Sequence, residues 1–360
     1  MRDSDAELER PFAPDGSGPA PATATAAAPP PVARKATLVS IQYLRAFAAL
    51  AVVAQHTGHT RGMGQVGVDI FFVISGFIMW MVTQRESTPG DFLLHRAIRI
   101  WPLYILATLV MLTQAPWAGW QLARSLLFIP YLNASGKAWP LLLQGWTLNY
   151  EMFFYGLFAL SLCVPRRPRL AVLAVLMVTL VGVGLLLRQP GPIAATYTSP
   201  MLLEFLAGVA ISALAGAGRL PGPRTGVALV ALGLAALAAS AVVHTEEAWR
   251  ALVWGVPSAA IVAGMLSLDR AGKVPVLPPL RFLGDASYSI YLFHTFVLDS
   301  IVTRLSLPPI VIVPLVLAAV CVVCSLIYLV VERPLTRALQ KVALRRARPT
   351  LPPAFGSSPA

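Results

Sequence analysis

The stretch IQYLRAFAALAVVAQHTGHTRGMGQVGVDIFFVISGFIMW, residues 41–80, holds two apolar runs joined by a short polar turn. A bilayer core about 30 Å thick takes about 20 apolar residues as a helix, so each run is long enough to be read as a membrane span. The second contains one charge, Asp69, and the small pair Ser75-Gly76. The first contains Arg45 and His56, which a lipid-exposed helix does not tolerate without a purpose.

Working outward, the same pattern repeats. Apolar segments fall near 38–57, 66–84, 100–115, 143–164, 170–187, 198–217, 225–243, 251–268, 285–304 and 309–331. Of the 360 residues, 57% are hydrophobic and 12% charged, and mean hydropathy is +0.70. A soluble domain carries about 25% charged residues, so lipid must be the solvent for much of this chain. The expected fold is all-α, a polytopic membrane helix bundle of about ten transmembrane helices. Residues 1–36 are rich in Pro, Ala and charge and are expected to be a disordered tail. They hold no apolar signal-peptide core, so the first span is expected to be retained. Residues 37–332 form the membrane domain, and 333–360 a basic, then Pro-rich, tail. The segment 116–142, with Trp117, Trp120 and Trp139, reads as an interfacial or re-entrant element, since aromatic rings favour the headgroup level.

The net charge of +12 raises nucleic acid as a partner, but the basic residues lie in short clusters between apolar spans. That is the pattern of topology signals and of contact with anionic lipid. With the N-terminus in the cytoplasm and the spans alternating, only Arg61, Arg124, Lys137, Arg188, Arg250 and Arg304 fall outside, leaving 22 of the 28 basic residues inside. Cys321 and Cys324 form a C-x-x-C within an apolar run, with no further Cys or His nearby, and read as small residues at a helix interface; no metal is expected.

Six ionisable residues lie within spans: Arg45, His56, Asp69, Glu151, Glu204 and His294. Such residues face the bundle interior and mark function. His56 lies eleven residues beyond Arg45, a rise of roughly 16 Å. Asp69 sits across a short loop from His56, so a carboxylate on the imidazole is one arrangement to expect, helix capping the other. A neutral histidine serves as general base for an alcohol, and a carboxylate on its other nitrogen would orient it. Glu151 is a candidate partner for an acceptor substrate. Arg96 and Arg99, at i and i+3 in FLLHRAIRIWPLY, share a helix face and can grip a phosphate or serve as positive-inside anchors.

Taken in order, IQYLRAFAALAVVAQH, GVDIFFVISGFIMW, FLLHRAIRIWPLY, GWTLNYEMFFY, LLEFLAG and SYSIYLFH resemble the membrane acyltransferase-3 family. The likeness covers about Ser40 to Pro334, and the variants look closest to exopolysaccharide O-acetyltransferases of the succinoglycan type. It implies transfer of an acyl group, most often acetyl, from cytoplasmic acyl-CoA to a sugar hydroxyl on a lipid-linked or surface glycan. It gives His56 the role of base, Arg45 that of charge stabiliser, and Arg96 and Arg99 the CoA phosphates. Ser75, Glu204, Tyr288, Tyr291 and His294 become pocket candidates. No counterpart of the SGNH-type domain of some members is seen, so transfer is expected to finish in the membrane domain or pass to another protein, such as a polysaccharide-assembly partner. The implied location is the bacterial inner membrane.

Other acceptors (peptidoglycan, lipid, an antibiotic) remain open. A transporter is the rival from another class, because buried His and Glu also build proton relays; the inner arginine pair and the lack of internal repeats speak against it. The charge asymmetry predicts both termini in the cytoplasm and an even number of spans. Reporter fusions at the two ends check this, and opposite-sided termini would refute it.

Overall fold

The computed structural model describes residues 38–59, 62–83, 88–114, 116–240, 247–302, 304–305 and 307–346. The tail expected to be disordered, 1–36, lies outside them, as does the Pro-rich end. Every regular element among the described residues is helical. The α-helices are α1 (Val39–His56), α2 (Val66–Val82), α3 (Pro89–Met111), α4 (Gly119–Leu126), α5 (Gly145–Ser161), α6 (Arg166–Leu186) and α7 (Pro192–Tyr197), followed by α8 (Leu202–Gly216), α9 (Pro223–Ser240), α10 (Val256–Arg270), α11 (Pro278–Asp285), α12 (Ser287–Val302), α13 (Pro309–Ile327) and α14 (Arg333–Arg346).

Seven helical stretches are long and apolar enough to cross a membrane: Met63–Val82, Pro89–Met111, Arg166–Leu186, Pro192–Gly216, Pro223–Ser240, Glu247–Arg270 and Pro309–Ala343. The ten spans expected are not reached by this measure. Missing are α1, α5 and α12, of 18, 17 and 16 residues. α5 and α12 are simply too short, whereas α1 is long enough but carries Arg45 and His56, which lower its apolar character. The third span starts earlier than its hydropathy implied. Thr88 caps α3 by accepting from the Asp91 amide, with Pro89 in the first turn, so Arg96 and Arg99 lie well inside the helix.

α2 is the most enclosed of the spans, with 72% of its apolar window buried against 17% for α6 and 22% for α9. It packs tightly on α8 through a glycine on each helix. A Cβ on Gly76 would stand 1.9 Å from the Phe205 carbonyl oxygen, and one on Gly208 1.9 Å from that of Val73. Phe72 and Phe154 stack on Phe205 at 4.3 and 4.5 Å, filling the space around the crossing. The Ser-Gly-Phe at 75–77 thus supplies a helix contact through its glycine, as small residues do between membrane helices. A single π-helical turn, Tyr328–Glu332, joins α13 to α14 and buries Glu332, whose carboxylate accepts from Ser289 Oγ at 2.6 Å. The first half of the basic tail is therefore helix, packed beside α3.

Gly208→Val or Gly76→Val should lower stability in detergent by about 1–3 kcal/mol or more, because the intruding atoms meet backbone that cannot move aside. Gly156→Ala, whose Cβ would meet nothing within 4 Å, should stay within about 1 kcal/mol of the parent. Thermal unfolding midpoints compare the three.

Candidate active site

α1 passes two cavities in succession. Arg45 lines the first, about 320 Å³, together with Arg96 and Arg99 from α3, Ser75 from α2, Glu151 and Tyr155 from α5, and Tyr288 from α12. His56 lines the second, about 610 Å³, with Gln65, Trp139, Gln144, Trp146, Glu247 and Arg250. Val68 and Tyr291 belong to the walls of both.

The first cavity is cationic. Three guanidiniums line it against one carboxylate, Glu151. That carboxylate is engaged: Oε1 accepts from Ser75 Oγ at 3.0 Å and from the Tyr155 hydroxyl. Among the described residues, the buried Nε of Arg96 has no acceptor. A buried donor without a partner is costly, so it marks where an anionic ligand oxygen fits. The residues present thus suit the phosphate groups of an acyl-CoA. Tyr288 spends its hydroxyl on the Ile100 carbonyl at 2.8 Å, which ties α12 to α3.

His56, in the wall of the second cavity, meets a second histidine, His294, which lies behind it and lines neither cavity. His294 is fully buried; its Nδ1 lies 2.8 Å from the Tyr291 carbonyl and 3.2 Å from that of Ile290. Carbonyls only accept, so Nδ1 carries the proton, and the neutral ring is left with a bare Nε2. That Nε2 stands 3.3 Å from His56 Nδ1, which also lies 2.8 Å from the Val52 carbonyl. With an acceptor on either side, His56 Nδ1 must be the protonated nitrogen. The lone pair of His56 is then on Nε2, the form a general base requires. The rings pack edge to face at 4.7 Å.

Several expectations change. Asp69 does not orient His56. It is fully buried and bidentate to Arg250, with Nε to Oδ1 at 3.1 Å and Nη2 to Oδ2 at 2.9 Å. Arg250 in turn donates to Gln65 Oε1 at 3.1 Å and stacks over Trp254 at 4.8 Å. His294, not a carboxylate, holds the second nitrogen of His56. Glu151 lies with the arginines of the first cavity, held there by Ser75 and Tyr155, and does not line the cavity that holds His56. Glu204 lines neither cavity; it is buried beside Asp69 and Gly255. Arg45, Arg96, Arg99, Ser75, Tyr288 and Tyr291 all line the first cavity.

Residues that the sequence reading passed over are Arg250, Tyr155, Trp139 and the Gln144–Thr147 pair. Tyr155 had a signal, standing four residues from Glu151 on the same helix face. Arg250 had none, since it reads as a loop charge.

The helix bundle thus sets an arginine-lined cavity beside a cavity whose wall carries a paired histidine. Residues 38–329 match the family profile described as Acyltransferase domain, and the chain belongs to this acyltransferase-3 family of membrane proteins. Exopolysaccharide production protein ExoZ of Rhizobium meliloti is 42% identical over 299 residues, 79% of this chain and 93% of that protein. Acyltransferase MdmB of Streptomyces mycarofaciens is 28% identical over 75% of this chain and 80% of its own length. Peptidoglycan O-acetyltransferase OatA of Listeria monocytogenes is 26% identical over 83% of this chain and 56% of its own length. No solved structure matches. The protein is an acyltransferase.

The Asp69–Arg250 pair predicts a stability phenotype. Asp69→Ala strands a buried guanidinium and should cost about 3–5 kcal/mol, whereas Asp69→Leu with Arg250→Met should recover most of it. Unfolding in detergent reads both. An Asp69→Ala protein of parental stability that had lost acyl transfer would return Asp69 to the chemistry.

Proposed function

We propose that this chain transfers an acyl group, in the simplest case acetyl, from acyl-CoA in the arginine-lined cavity to a sugar hydroxyl of an exopolysaccharide in the histidine-lined cavity. The carrying observation is that α1 presents Arg45 to the first cavity and His56 to the second, with a shared wall between. The relatives agree in kind: one is named for exopolysaccharide production and another as an O-acetyltransferase. A cavity of about 320 Å³ is at the lower end of the roughly 300–1,000 Å³ that ligand pockets span, so it suits the pantetheine arm and its phosphates, the latter on Arg96 and Arg99 in the cavity wall, with the nucleoside left outside. Trp139 and Trp146, with the amides of Gln65 and Gln144, offer the second cavity apolar faces beside polar atoms, which is what a sugar ring presents in turn.

The chemistry is a single displacement. His56 Nε2 removes the proton of the sugar hydroxyl as its oxygen adds to the thioester carbonyl. The tetrahedral intermediate collapses with cleavage of the C–S bond, and the electron pair leaves on the CoA sulfur. His56 returns the proton to solvent and the thiolate is protonated, so ester and thiol are the products. His294 Nε2 accepts from His56 Nδ1–H throughout and steadies the imidazolium. The arginine cavity faces the cytoplasm, where acyl-CoA is made, and the histidine cavity faces outward across the inner membrane. The excess of basic residues assigned to the inner side supports that orientation, and polysaccharide-assembly proteins are the partners it calls for.

Membranes supplied with radiolabelled acetyl-CoA test the reading. His56→Gln should lose about 10²–10⁴-fold in transfer, the usual worth of a positioned base, while still binding acetyl-CoA. Arg96→Ala and Arg99→Ala should instead weaken donor binding, with Lys restoring only part, since an ammonium lacks the guanidinium fork. Full transfer by His56→Gln, or unchanged donor affinity in the double Ala variant, would overturn the assignment.

A further inference from the structure

Two residues, Tyr291 of α12 and Val68 of α2, are common to the walls of both cavities. Tyr291 is 7% exposed and Val68 5%. The Tyr291 ring is pinned. Its hydroxyl lies 2.5 Å from Thr147 Oγ1 and donates to the Gln144 carbonyl at 3.1 Å. Phe71, on the arginine side, meets the ring edge to face at 6.0 Å. The Tyr291 backbone carbonyl accepts from His294 Nδ1 at 2.8 Å, so the Tyr291 ring and the histidine pair share one stretch of helix. The cationic cavity and the larger one therefore share these two side chains as common wall.

We infer that Tyr291 and Val68 form a septum that bars water in the histidine cavity from the thioester and limits the acyl group to a short chain. This rests on the donor and acceptor assignments proposed above. A thioester beside a base is open to hydrolysis whenever water reaches it, and excluding water is a recognised task of an enzyme interior. A sugar hydroxyl in the histidine cavity meets the acyl carbonyl at the septum edge, whereas a longer acyl tail has Tyr291, Phe71 and Val68 in its path. In the leak reaction the oxygen of water adds to the thioester carbonyl as His56 takes one proton. The C–S bond breaks, and carboxylate, CoA thiol and one released proton result.

The test uses the full-length protein in lipid nanodiscs, with acetyl-CoA and butanoyl-CoA as donors. CoA thiol release is read with and without the acceptor glycan. Tyr291→Ala and Val68→Ala should raise acceptor-independent release by about tenfold or more, since a positioned base speeds attack by any oxygen nucleophile it reaches. Both should also raise the butanoyl-to-acetyl ratio in transfer. Adding His56→Ala to either should abolish the leak, because the water enters from the histidine side. Folded, donor-binding variants with the parental hydrolysis and chain-length ratios would overturn the septum, as would a leak that survives loss of His56. Val68→Ala carries the test alone where Tyr291→Ala does not fold. Absence of any acyl-CoA turnover in the parent protein would instead reject the donor assignment itself, and the septum with it.

Discussion

Lipid gives two apolar helices no hydrophobic reason to associate, so contact between them depends on how closely their backbones approach. Here that approach is between α2 and α8, where Gly76 lies on the Phe205 carbonyl and Gly208 on that of Val73. The contact seats α2 in the middle of the bundle, and much of the site hangs from it. Asp69 reaches Arg250, Ser75 reaches Glu151, Phe71 meets the Tyr291 ring, and Val68 shares both cavity walls with Tyr291. The spacing of these four residues is that of one helix, so a shift of α2 would disturb both cavities and their common wall together.

The charges in this interior fall into two kinds. Asp69 and Arg250 satisfy each other with two hydrogen bonds, and such a pair holds structure more than it adds net stability. It ties α2 to the segment just ahead of α10, where the π-turn Ala251–Gly255 brings Gly255 against Glu204. Arg45, Arg96 and Arg99 are different. Their cavity holds one carboxylate for three cations, and that carboxylate is already bonded to Ser75 and Tyr155. Glu332 and Asp285, outside the cavity wall, also act on Arg45; on the proposed reading, cations held in place in this way are preorganised for an anionic ligand.

The sequence was readable where a residue violated its surroundings. Arg45 and His56 stand out of an apolar run, and both line cavities. Partnership was less legible. Depth along a helix put Asp69 near His56, but rotation about the axis decides what a side chain touches, and Asp69 faces Arg250. Arg250 itself counted as an outer loop charge although it is 9% exposed. The start of α3 was hidden for a similar reason: His95, Arg96 and Arg99 depress local hydropathy, so only the Thr88 cap and Pro89 mark it. The aromatic segment 116–142 read as interfacial, yet Trp139 of that segment lines the histidine cavity, with Lys137 over its ring at 4.2 Å.

The three helices that fall short as spans are α1, α5 and α12, and these supply Arg45, His56, Glu151, His294 and Tyr291. A helix enclosed by others need not be apolar all round, so polarity is affordable where neighbours replace lipid. The rise from Arg45 to His56 is roughly 16 Å, about half of a bilayer core near 30 Å. On the proposed reading neither substrate has to cross. The coenzyme enters from one side as far as its arm extends, the glycan hydroxyl from the other, and only the acyl group passes between them. On that reading the base belongs at the far end of α1 from Arg45: placed a turn or two nearer, His56 would share the cationic cavity, where neighbouring guanidiniums oppose the imidazolium that proton abstraction creates.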